Sequence, residues 1–377
     1  MMVKNKLEDL TLVVPTYFRQ PYALRLMRYW NSKGPKVIVV DGTDKPIPKC
    51  ELDGLGNSIL YVHNPVGIYE RLRGVLDLIT TKYVALAGDD EFYIPSALAS
   101  CIGELNDDSE LVACSGIAIG FCPEQSFVAG KVYSPGLVGY AVLGATARDR
   151  VLFHMSNYEV NQIYGVCRSP EWKTIWYGIT EREFPVFAIG EYQFELYMSF
   201  AGKSKVVREL MWLRNLGETK PIRGTDPSLG TLLFIKWYKD IKFFQERLNF
   251  LDISANTLRK LSNDYDYVSC RAIAEVGFDA FHQWAVAHRT REERLLSLTP
   301  VRWLRQLMPV SLRGVFKNFL NRRNQNRDND KKLVEMVNLS NFAEKIARDW
   351  RIKVSFTELL EIEAAISQSK TATNSQS

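Results

Sequence analysis

The chain has 377 residues, of which 46% are hydrophobic and 24% are charged, and its formal net charge is +5 at pH 7. This composition is typical of a globular protein with one large domain and a smaller one. The modest charge does not require a nucleic-acid partner, and we predict none. No window is long and apolar enough to span a bilayer and no signal-peptide core is present, so we expect a cytoplasmic protein.

The N-terminal third alternates predicted strands with predicted helices. Strands are predicted at 10–14, 36–40, 59–62, 83–87 and 111–119, and helices at 22–31, 67–79 and 95–105. This alternation predicts an α/β fold with a mainly parallel sheet and helices on both of its faces. The first strand is not followed by GxGxxG, and no Walker A sequence is present. A bound phosphate would therefore be held by side chains or a cation and not by a glycine-rich loop.

An acidic turn follows the fourth predicted strand. The apolar run Val84–Ala87 stops at Gly88, and Asp89, Asp90 and Glu91 come next. Carboxylates at the carboxyl end of a buried strand lie where open α/β sheets bind ligands. Because three such acids repel one another, a site of this kind usually holds a hard divalent cation. A solvated acidic turn is the alternative interpretation.

Three segments, taken in order, resemble one enzyme family. They are Val13-Val14-Pro15-Thr16-Tyr17, Val39-Val40-Asp41-Gly42-Thr43 and the acidic turn with its flanks, Tyr83 to Pro95. Together they resemble the GT-A nucleotide-sugar glycosyltransferases, and most of all the family 2-like bacterial enzymes that build surface polysaccharides. The resemblance covers roughly the first 210 residues, about the size of one domain. It implies a GT-A type, mainly parallel sheet flanked by helices.

The resemblance implies that the ends of the first two strands bind the donor nucleotide. It assigns Pro15, Thr16 and Tyr17 from the first strand and its loop, and Asp41 from the second strand. In similar enzymes these positions contact the base and the ribose. For Asp41 the alternative is an acid that only forms an Asp-Gly turn.

The acidic motif of the family is Asp-x-Asp, and this chain departs from it. The first Asp of the motif falls on Gly88 and the second on Asp90. The resemblance therefore implies that Asp90, with Glu91, binds Mn²⁺ or Mg²⁺, and that Asp89 contacts the donor. Mg²⁺ needs only one or two protein carboxylates beside the phosphates of a substrate. The missing acid leaves strict dependence on a cation open.

Three arginines are predicted to complement the diphosphate. Arg19 follows the loop after the first strand, and Arg71 lies in the helix before the acidic turn. Arg73 does not share a helical face with Arg71, so only one of the two is assigned. The alternative for Arg71 is a surface ion pair. Arg214 falls in 213–220, a predicted loop that would close over the donor, although most loop arginines are merely solvated.

A later acid is expected to be the catalytic base. Glu191 opens a predicted helix that ends near Gly202, where similar enzymes place an acidic pair. The resemblance implies Glu191 as the base and Glu195, one turn later, as a reserve. For both, the alternative is a charge that complements the helix dipole. The aromatic stretch 134–168 offers rings on which an acceptor sugar would stack.

The C-terminal third is predicted to be mainly helical. We divide the chain into a catalytic domain at 1–220, a helical region at 221–368 and a disordered tail at 369–377. Within the helical region, 301–327 is basic and amphipathic and contains no acid, which suits an anionic membrane surface. An ordinary helix packed on the catalytic domain is the alternative.

These features together predict a cytoplasmic glycosyltransferase. The basic segment 301–327 would allow it to contact the inner membrane face peripherally. The resemblance implies inverting transfer of a sugar from a nucleotide-activated donor to a hydroxyl of a glycan or lipid-linked acceptor, in surface polysaccharide synthesis. Two alternatives stay open. One is a sugar nucleotidyltransferase, which usually carries a glycine-rich turn that this chain lacks. The other is a non-catalytic, membrane-docked scaffold.

Overall fold

The strands of the N-terminal third form where the apolar runs predict them. In the computed structural model, which describes residues 2–124, 127–186, 188–217, 230–288 and 337–374, ten strands join in one sheet. In chain order they are β1 Leu10–Thr16, β2 Lys36–Asp41, β3 Ile59–His63, β4 Tyr83–Leu86, β5 Phe92–Tyr93, β6 Leu111–Pro123, β7 Val128–Val132, β8 Ala141–Val142, β9 Val166–Arg168 and β10 Lys203–Asn215. Strands β1, β2 and β4 are buried along almost their whole length, as strands covered on both faces are.

The sheet is mainly parallel. Its order is β3-β2-β1-β4-β9-β6-β10-β5, with β7 added on β6 and β8 on β10. Strand β1 pairs parallel with β2 and β4, β2 with β3, and β6 with β10. The three-residue β9 is antiparallel to both β4 and β6, so the strands β1 to β4, β6 and β10 all point the same way. The predicted α/β fold with a mainly parallel sheet is confirmed.

Helices cover the two faces of the sheet. In chain order they are α1 Met2–Leu7, α2 Gln20–Trp30, α3 Lys49–Leu52, α4 Ile68–Val75, α5 Pro95–Asp107, α6 Ala147–Ser156, α7 Ser169–Ile179, α8 Ile189–Ala201, α9 Gly230–Lys239, α10 Phe244–Leu261, α11 Tyr267–Ala287, α12 Leu339–Asp349 and α13 Phe356–Asn374. Because side chains alternate along a strand, Leu12 and Val14 of β1 join one hydrophobic core and Val13 joins the other. Helices α2, α5, α12 and α13 pack in the first core, and α4 and α6 to α11 in the second.

The last described helices return to the first half of the chain. Leu210 N donates to Lys353 O at 2.9 Å, and Lys353 N donates to Arg208 O at 2.8 Å, so the link between α12 and α13 lies along β10. The Glu358 carboxylate accepts bonds from the backbone N and the hydroxyl of Ser96 at the start of α5. Both hydrophobic cores therefore extend across the boundary predicted at residue 220.

One predicted loop boundary is wrong, and one predicted segment is not described. Strand β10 continues to Asn215, because Leu213 is buried and paired in the sheet, so a loop does not begin at residue 213. Helix α13 is described to Asn374, and the division of the chain into domains and a tail at 369–377 stays a prediction. The basic segment 301–327 lies outside the described residues. Among the residues that are described, no helix combines the length and hydropathy needed to cross a membrane.

Candidate functional site

The carboxyl edge of the parallel strands gathers residues that are distant in the sequence. Pro15 and Thr16 end β1, Asp41 ends β2, and the acidic turn 88–91 follows β4. Thr16 Oγ1 donates a 2.8 Å hydrogen bond to Asp89 Oδ2 and thereby ties the first strand to the acidic turn. Thr16, Asp41 and Asp89 are all buried. This edge is where an open α/β sheet binds its ligands.

The guanidinium of Arg19 lies between two of the acids. Its Nε is 3.2 Å from Asp89 Oδ1, and its Nη2 forms an ion pair with Asp90 Oδ2 that lacks the alignment of a hydrogen bond. Asn215, at the end of β10, donates to the same Asp90 oxygen at 3.0 Å. Burial raises the pKa of Asp89 to about 7, although Arg19 and the bond from Thr16 act in the opposite direction.

Glu91 turns toward β10 and away from the other two acids. Its Oε2 accepts a 2.9 Å hydrogen bond from Trp212 Nε1, and its Oε1 is 3.7 Å from Arg214 Nε. A Cβ atom at Gly88 would lie 2.8 Å from Glu91 Cδ, so the Glu91 side chain fills the space beside the position that lacks an acid. Burial raises the pKa of Glu91 to about 7 against the influence of Arg214.

Asp41 organises the end of the second strand. Its Oδ1 accepts a 2.8 Å bond from the backbone N of Thr43, and its Oδ2 accepts bonds from Gln20 Nε2 at 2.7 Å and Tyr61 OH at 2.6 Å. The bond to Thr43 is the turn contact that the Asp-Gly alternative foresees. Asp41 thus fixes the turn and two neighbouring side chains, and its contact with a nucleotide stays a prediction.

Arg71 reaches the same edge from helix α4. Its Nη1 donates to Thr16 O at 2.5 Å and to Val40 O at 3.1 Å, at the ends of β1 and β2. The guanidinium passes directly over Gly42, where an added Cβ would lie 2.4 Å from Arg71 Cζ. It also lies 5.8 Å from the centre of the Tyr17 ring. Burial lowers the pKa of Arg71, and the buried side chain is not the exposed surface ion pair of the alternative interpretation.

Glu191 lies in the first turn of α8, as predicted. Its Oε1 accepts a 3.1 Å hydrogen bond from Tyr158 OH. Burial raises the pKa of Glu191 to about 7, and the Glu195 charge adds to this effect. The Glu191 residue as a whole is partly exposed, although burial leaves its carboxyl group poorly hydrated. These are the surroundings of a carboxylate poised for general-base work near neutral pH.

Arg214, at the end of β10, lies beside the acidic turn. Its Nη1 donates to Tyr133 OH, and its guanidinium lies over the rings of Tyr133 and Trp212 at 5.0 and 5.6 Å. Burial lowers the pKa of Arg214, but the surrounding tyrosines and the Glu91 and Glu191 carboxylates outweigh burial and raise it. The pKa of Arg214 is therefore influenced by both the acidic turn and the candidate base.

Glu195 is not available as a reserve base. Its side chain is fully buried, and its Oε2 lies 2.9 Å from His154 Nε2. The backbone N–H groups of Asn161, Gln162 and Ile163 all donate to its two oxygens, at 3.1 to 3.3 Å. We therefore assign Glu195 to holding the segment 161–163 on α8, in place of the predicted catalytic role.

Comparison with solved structures gives distant likenesses. No protein-family model and no curated protein matches the chain. Crystal structures of S. aureus TarS 1-349, of the same protein in complex with UDP-GlcNAc and of its complex with UDP match with TM-scores of 0.40, 0.41 and 0.39. Each of the three is 10% identical in sequence to this chain, and the match covers 74% of this chain and 91% of the TarS chain. Because likenesses of this size do not decide a function, the residues of the site must do so.

The acidic turn does not offer a divalent cation a suitable set of ligands. Asp89 and Asp90 already face the Arg19 guanidinium, and Glu91 is bonded to Trp212 and close to an arginine. Within the described ranges, no three His, Cys, Asp or Glu side chains are grouped as metal ligands would be. The roles predicted for Asp90 and Glu91 as ligands of Mn²⁺ or Mg²⁺ are therefore not supported by their contacts.

Sequence reasoning assigned no role to several residues of the site, two of them from β10. Trp212 and Asn215 contact the acidic turn, and Tyr158 contacts Glu191. Tyr164 stacks on Trp212 with ring centres 4.3 Å apart. A usable signal was present, because polar Arg-Asn follows the buried Leu213 at the carboxyl end of a strand, as Asp41 follows the buried Val40 at the end of β2. Reading 213–220 as a loop concealed it.

Proposed function

We propose that this protein is a glycosyltransferase that moves a sugar from a nucleoside diphosphate-sugar to a hydroxyl group of an acceptor. One observation carries the proposal. Arg214 contacts Glu91 of the acidic turn, and its pKa responds to Glu191 at the start of α8. A donor bound at the carboxyl edge of the sheet would thus have both a positive charge and a candidate base nearby.

The proposed reaction needs one base and stabilisation of one leaving group. Glu191 removes the proton of the acceptor hydroxyl, whose oxygen forms a bond to the anomeric carbon. The bond from that carbon to the donor phosphate breaks, and the nucleoside diphosphate leaves with the electron pair. Arg214 and Arg19 would offset the charge that develops on the phosphate. A single displacement with one base inverts the anomeric carbon, so we propose inversion.

The wider setting is proposed on the resemblance of the three sequence segments. We infer a cytoplasmic enzyme whose acceptor is a glycan or a lipid-linked glycan of a bacterial surface polysaccharide. The partly exposed Tyr164, stacked on Trp212, supports an acceptor site, because sugars pack well on aromatic rings. Contact with the inner membrane surface rests on 301–327, which lies outside the described residues.

Nucleotide binding and donor hydrolysis together test the proposal. Calorimetry with UDP, GDP, CDP, dTDP and CMP should identify one nucleotide that binds clearly better than the others. Slow hydrolysis of the matching nucleotide-sugars, followed by NMR, should then depend on Glu191 and be lost in Glu191→Gln. The exposed Glu183, in the loop before α8, provides a matched control as Glu183→Gln.

Other outcomes would replace the proposal. If no nucleotide binds under any condition, the non-catalytic scaffold becomes the better account. If the protein instead makes a nucleotide-sugar from a nucleoside triphosphate and a sugar phosphate, with release of pyrophosphate, it is a nucleotidyltransferase. A glycosyltransferase should bind a nucleotide and should not make a nucleotide-sugar from these two substrates.

A further inference from the structure

We infer that the Arg19 guanidinium, and not a divalent cation, supplies the positive charge between Asp89 and Asp90, and that it positions the donor diphosphate there. The inference rests on the proposed function for its ligand, but the replacement of a cation by Arg19 stands on the geometry of this chain. Arg19 contacts one oxygen of each aspartate, which is how a bridging cation would be placed.

The surroundings of Arg19 fix this arrangement. Asp89 is held from the other side by Thr16, and Asp90 by Asn215, so neither carboxylate is free to turn away. The side chain of Arg19 is 23% exposed, against 6% and 8% for Asp89 and Asp90. The arginine is therefore the part of this cluster that a ligand would meet first.

Arginine also has the chemistry that the position requires. Its planar guanidinium carries five N–H donors and binds carboxylates and phosphates in the same fork geometry. The contacts to the aspartates use Nε and Nη2. Among the described residues no hydrogen bond to Nη1 is found, which leaves its two N–H groups for a phosphate oxygen. Arg19 would thus bridge protein carboxylates and substrate phosphate, as a cation does in other sites.

The acids that a cation would need are committed elsewhere or missing. A third carboxylate from Glu91 is bonded to Trp212, and a side chain at Gly88 has no space because of Glu91 itself. A cation could bind both aspartates only by displacing the Arg19 guanidinium. The displaced guanidinium would then lie close to the cation, and the two positive charges would repel each other. The local chemistry therefore favours a permanent guanidinium over an exchangeable ion.

Calorimetry in EDTA and in Mn²⁺ tests the inference. The best-binding nucleoside diphosphate should bind the wild-type protein with the same affinity, within about twofold, in both media. Arg19→Ala should weaken binding in EDTA by roughly tenfold or more, because charge-assisted hydrogen bonds to phosphate are lost. Mn²⁺ should restore much of that loss by occupying the vacated position. Arg19→Lys, which keeps the charge without the fork, should fall between the two.

A second measurement does not depend on the nucleotide. The electron paramagnetic resonance signal of Mn²⁺ alone should remain that of the free ion with the wild-type protein and should change with Arg19→Ala. The exposed Arg28→Ala on helix α2, which begins directly after Arg19, should behave as wild type in both measurements. Circular dichroism melting of each variant confirms that it folds.

The two proposals fail in different ways. Wild-type nucleotide binding that is abolished by EDTA, with a bound Mn²⁺ signal that disappears in Asp90→Asn, would overturn the role of Arg19 but leave the transferase standing. Absence of nucleotide binding, together with a new Mn²⁺ site in Arg19→Ala, would overturn the transferase and support the replacement of a cation by Arg19. If nucleotide binds every variant equally and Mn²⁺ binds none, only the role of Arg19 is wrong. If neither nucleotide nor Mn²⁺ binds any variant, both proposals are wrong.

Discussion

Glu191 combines partial exposure with a poorly hydrated carboxylate, and this sets its expected behaviour in catalysis. Glu191→Gln should lower the turnover number by roughly 10²- to 10⁴-fold, the usual contribution of a general base. The affinity for the nucleotide should change little, because the carboxylate acts on the acceptor. Steady-state kinetics and calorimetry on the same preparation measure both quantities.

The pH dependence of the same step follows from the pKa of Glu191. A base must be deprotonated to accept a proton, and burial raises the pKa of this carboxyl to about 7. The turnover number should therefore rise as the pH increases through about 7 and level off above it. A rate that falls over this range would assign Glu191 to a proton donor. Tyr158→Phe, which removes the hydrogen bond to Glu191, should shift the midpoint upward.

The contribution of Glu195 to the stability of the folded protein can be measured separately from catalysis. Glu195→Ala leaves His154 and three backbone N–H groups without their buried partner. Breaking a buried pair in this way should reduce the free energy of unfolding by about 3–5 kcal/mol. Urea unfolding followed by circular dichroism gives this value. The exposed Glu181→Ala should stay within about 0.5 kcal/mol of wild type.

At the scale of single residues, sequence patterns located the site but not its contacts. The rule that ligands lie at the carboxyl ends of parallel strands found Thr16, Asp41 and Asp89, which meet at one edge. It could not show that Arg19 lies between two acids, since this depends on how the loop after β1 folds back. Nor could spacing separate Glu191 from Glu195, whose difference is depth of burial.

At the scale of elements, helix α4 and the turn after β2 lie close together because Gly42 has no side chain and leaves space for Arg71. Gly42→Ala would place a methyl group 2.4 Å from Arg71 Cζ and push the guanidinium off the ends of β1 and β2. Loss of these two hydrogen bonds by a buried guanidinium should cost about 1–3 kcal/mol of unfolding free energy. Nucleotide affinity should fall as well, because the ends of both strands lose a common anchor.

Gly74 provides the matched control within α4. A Cβ atom there would meet nothing within 4 Å. Gly74→Ala should therefore leave nucleotide affinity unchanged and stabilise the helix by up to about 1 kcal/mol, since alanine loses less backbone entropy on folding. Equal losses of stability in the two variants would show that the close approach of Arg71 to Gly42 is unimportant.

Elements also show why one prediction was wrong. Strand β10 has irregular register against β6 between Val206 and Trp212, which breaks the alternation by which a strand is recognised. The polar residues Arg214 and Asn215 then read as the start of a loop. In the folded protein the neighbouring strand supplies pairing to these residues, and a sequence window cannot contain that information.

At the scale of the whole molecule, buried acids make stability depend on pH in a defined direction. Burial raises the pKa of Asp89 and Glu91 to about 7, against about 4 for such groups in an unfolded chain. Between these values the folded protein binds more protons than the unfolded one. The stability contributed by these groups is therefore complete below pH about 4 and is lost as the pH rises through about 7.

The variant Glu91→Gln tests this linkage. It cannot ionise but can still accept a bond from Trp212, so the fall in unfolding free energy between pH about 5.5 and about 8 should be smaller than in wild type. Urea titrations at the two pH values provide the comparison. The exposed Glu51→Gln should reproduce the wild-type fall. A steeper fall in Glu91→Gln would show that ionisation of Glu91 does not destabilise the folded protein.

The global architecture was predictable where structure is local. Alternating apolar runs predicted the strands of the first third and the mainly parallel sheet, because both follow from short-range patterning. The docking of α12 and α13 on α5 and β10 was not, since contacts such as Glu358 with Ser96 join residues more than 250 positions apart. Amphipathic helices are recognisable in a sequence, whereas the surface on which they pack is not.

The packing of α12 and α13 against the N-terminal half also affects how the protein folds during synthesis on the ribosome. Leu339, Ala343 and Ile346 complete the same hydrophobic core as Leu24 and Met27 of α2. At translation rates of about 5–20 residues per second, roughly 15–60 s separate the emergence of these two parts. Until then the part of the sheet face that α12 and α13 cover stays exposed, so we expect the nascent chain to bind chaperones.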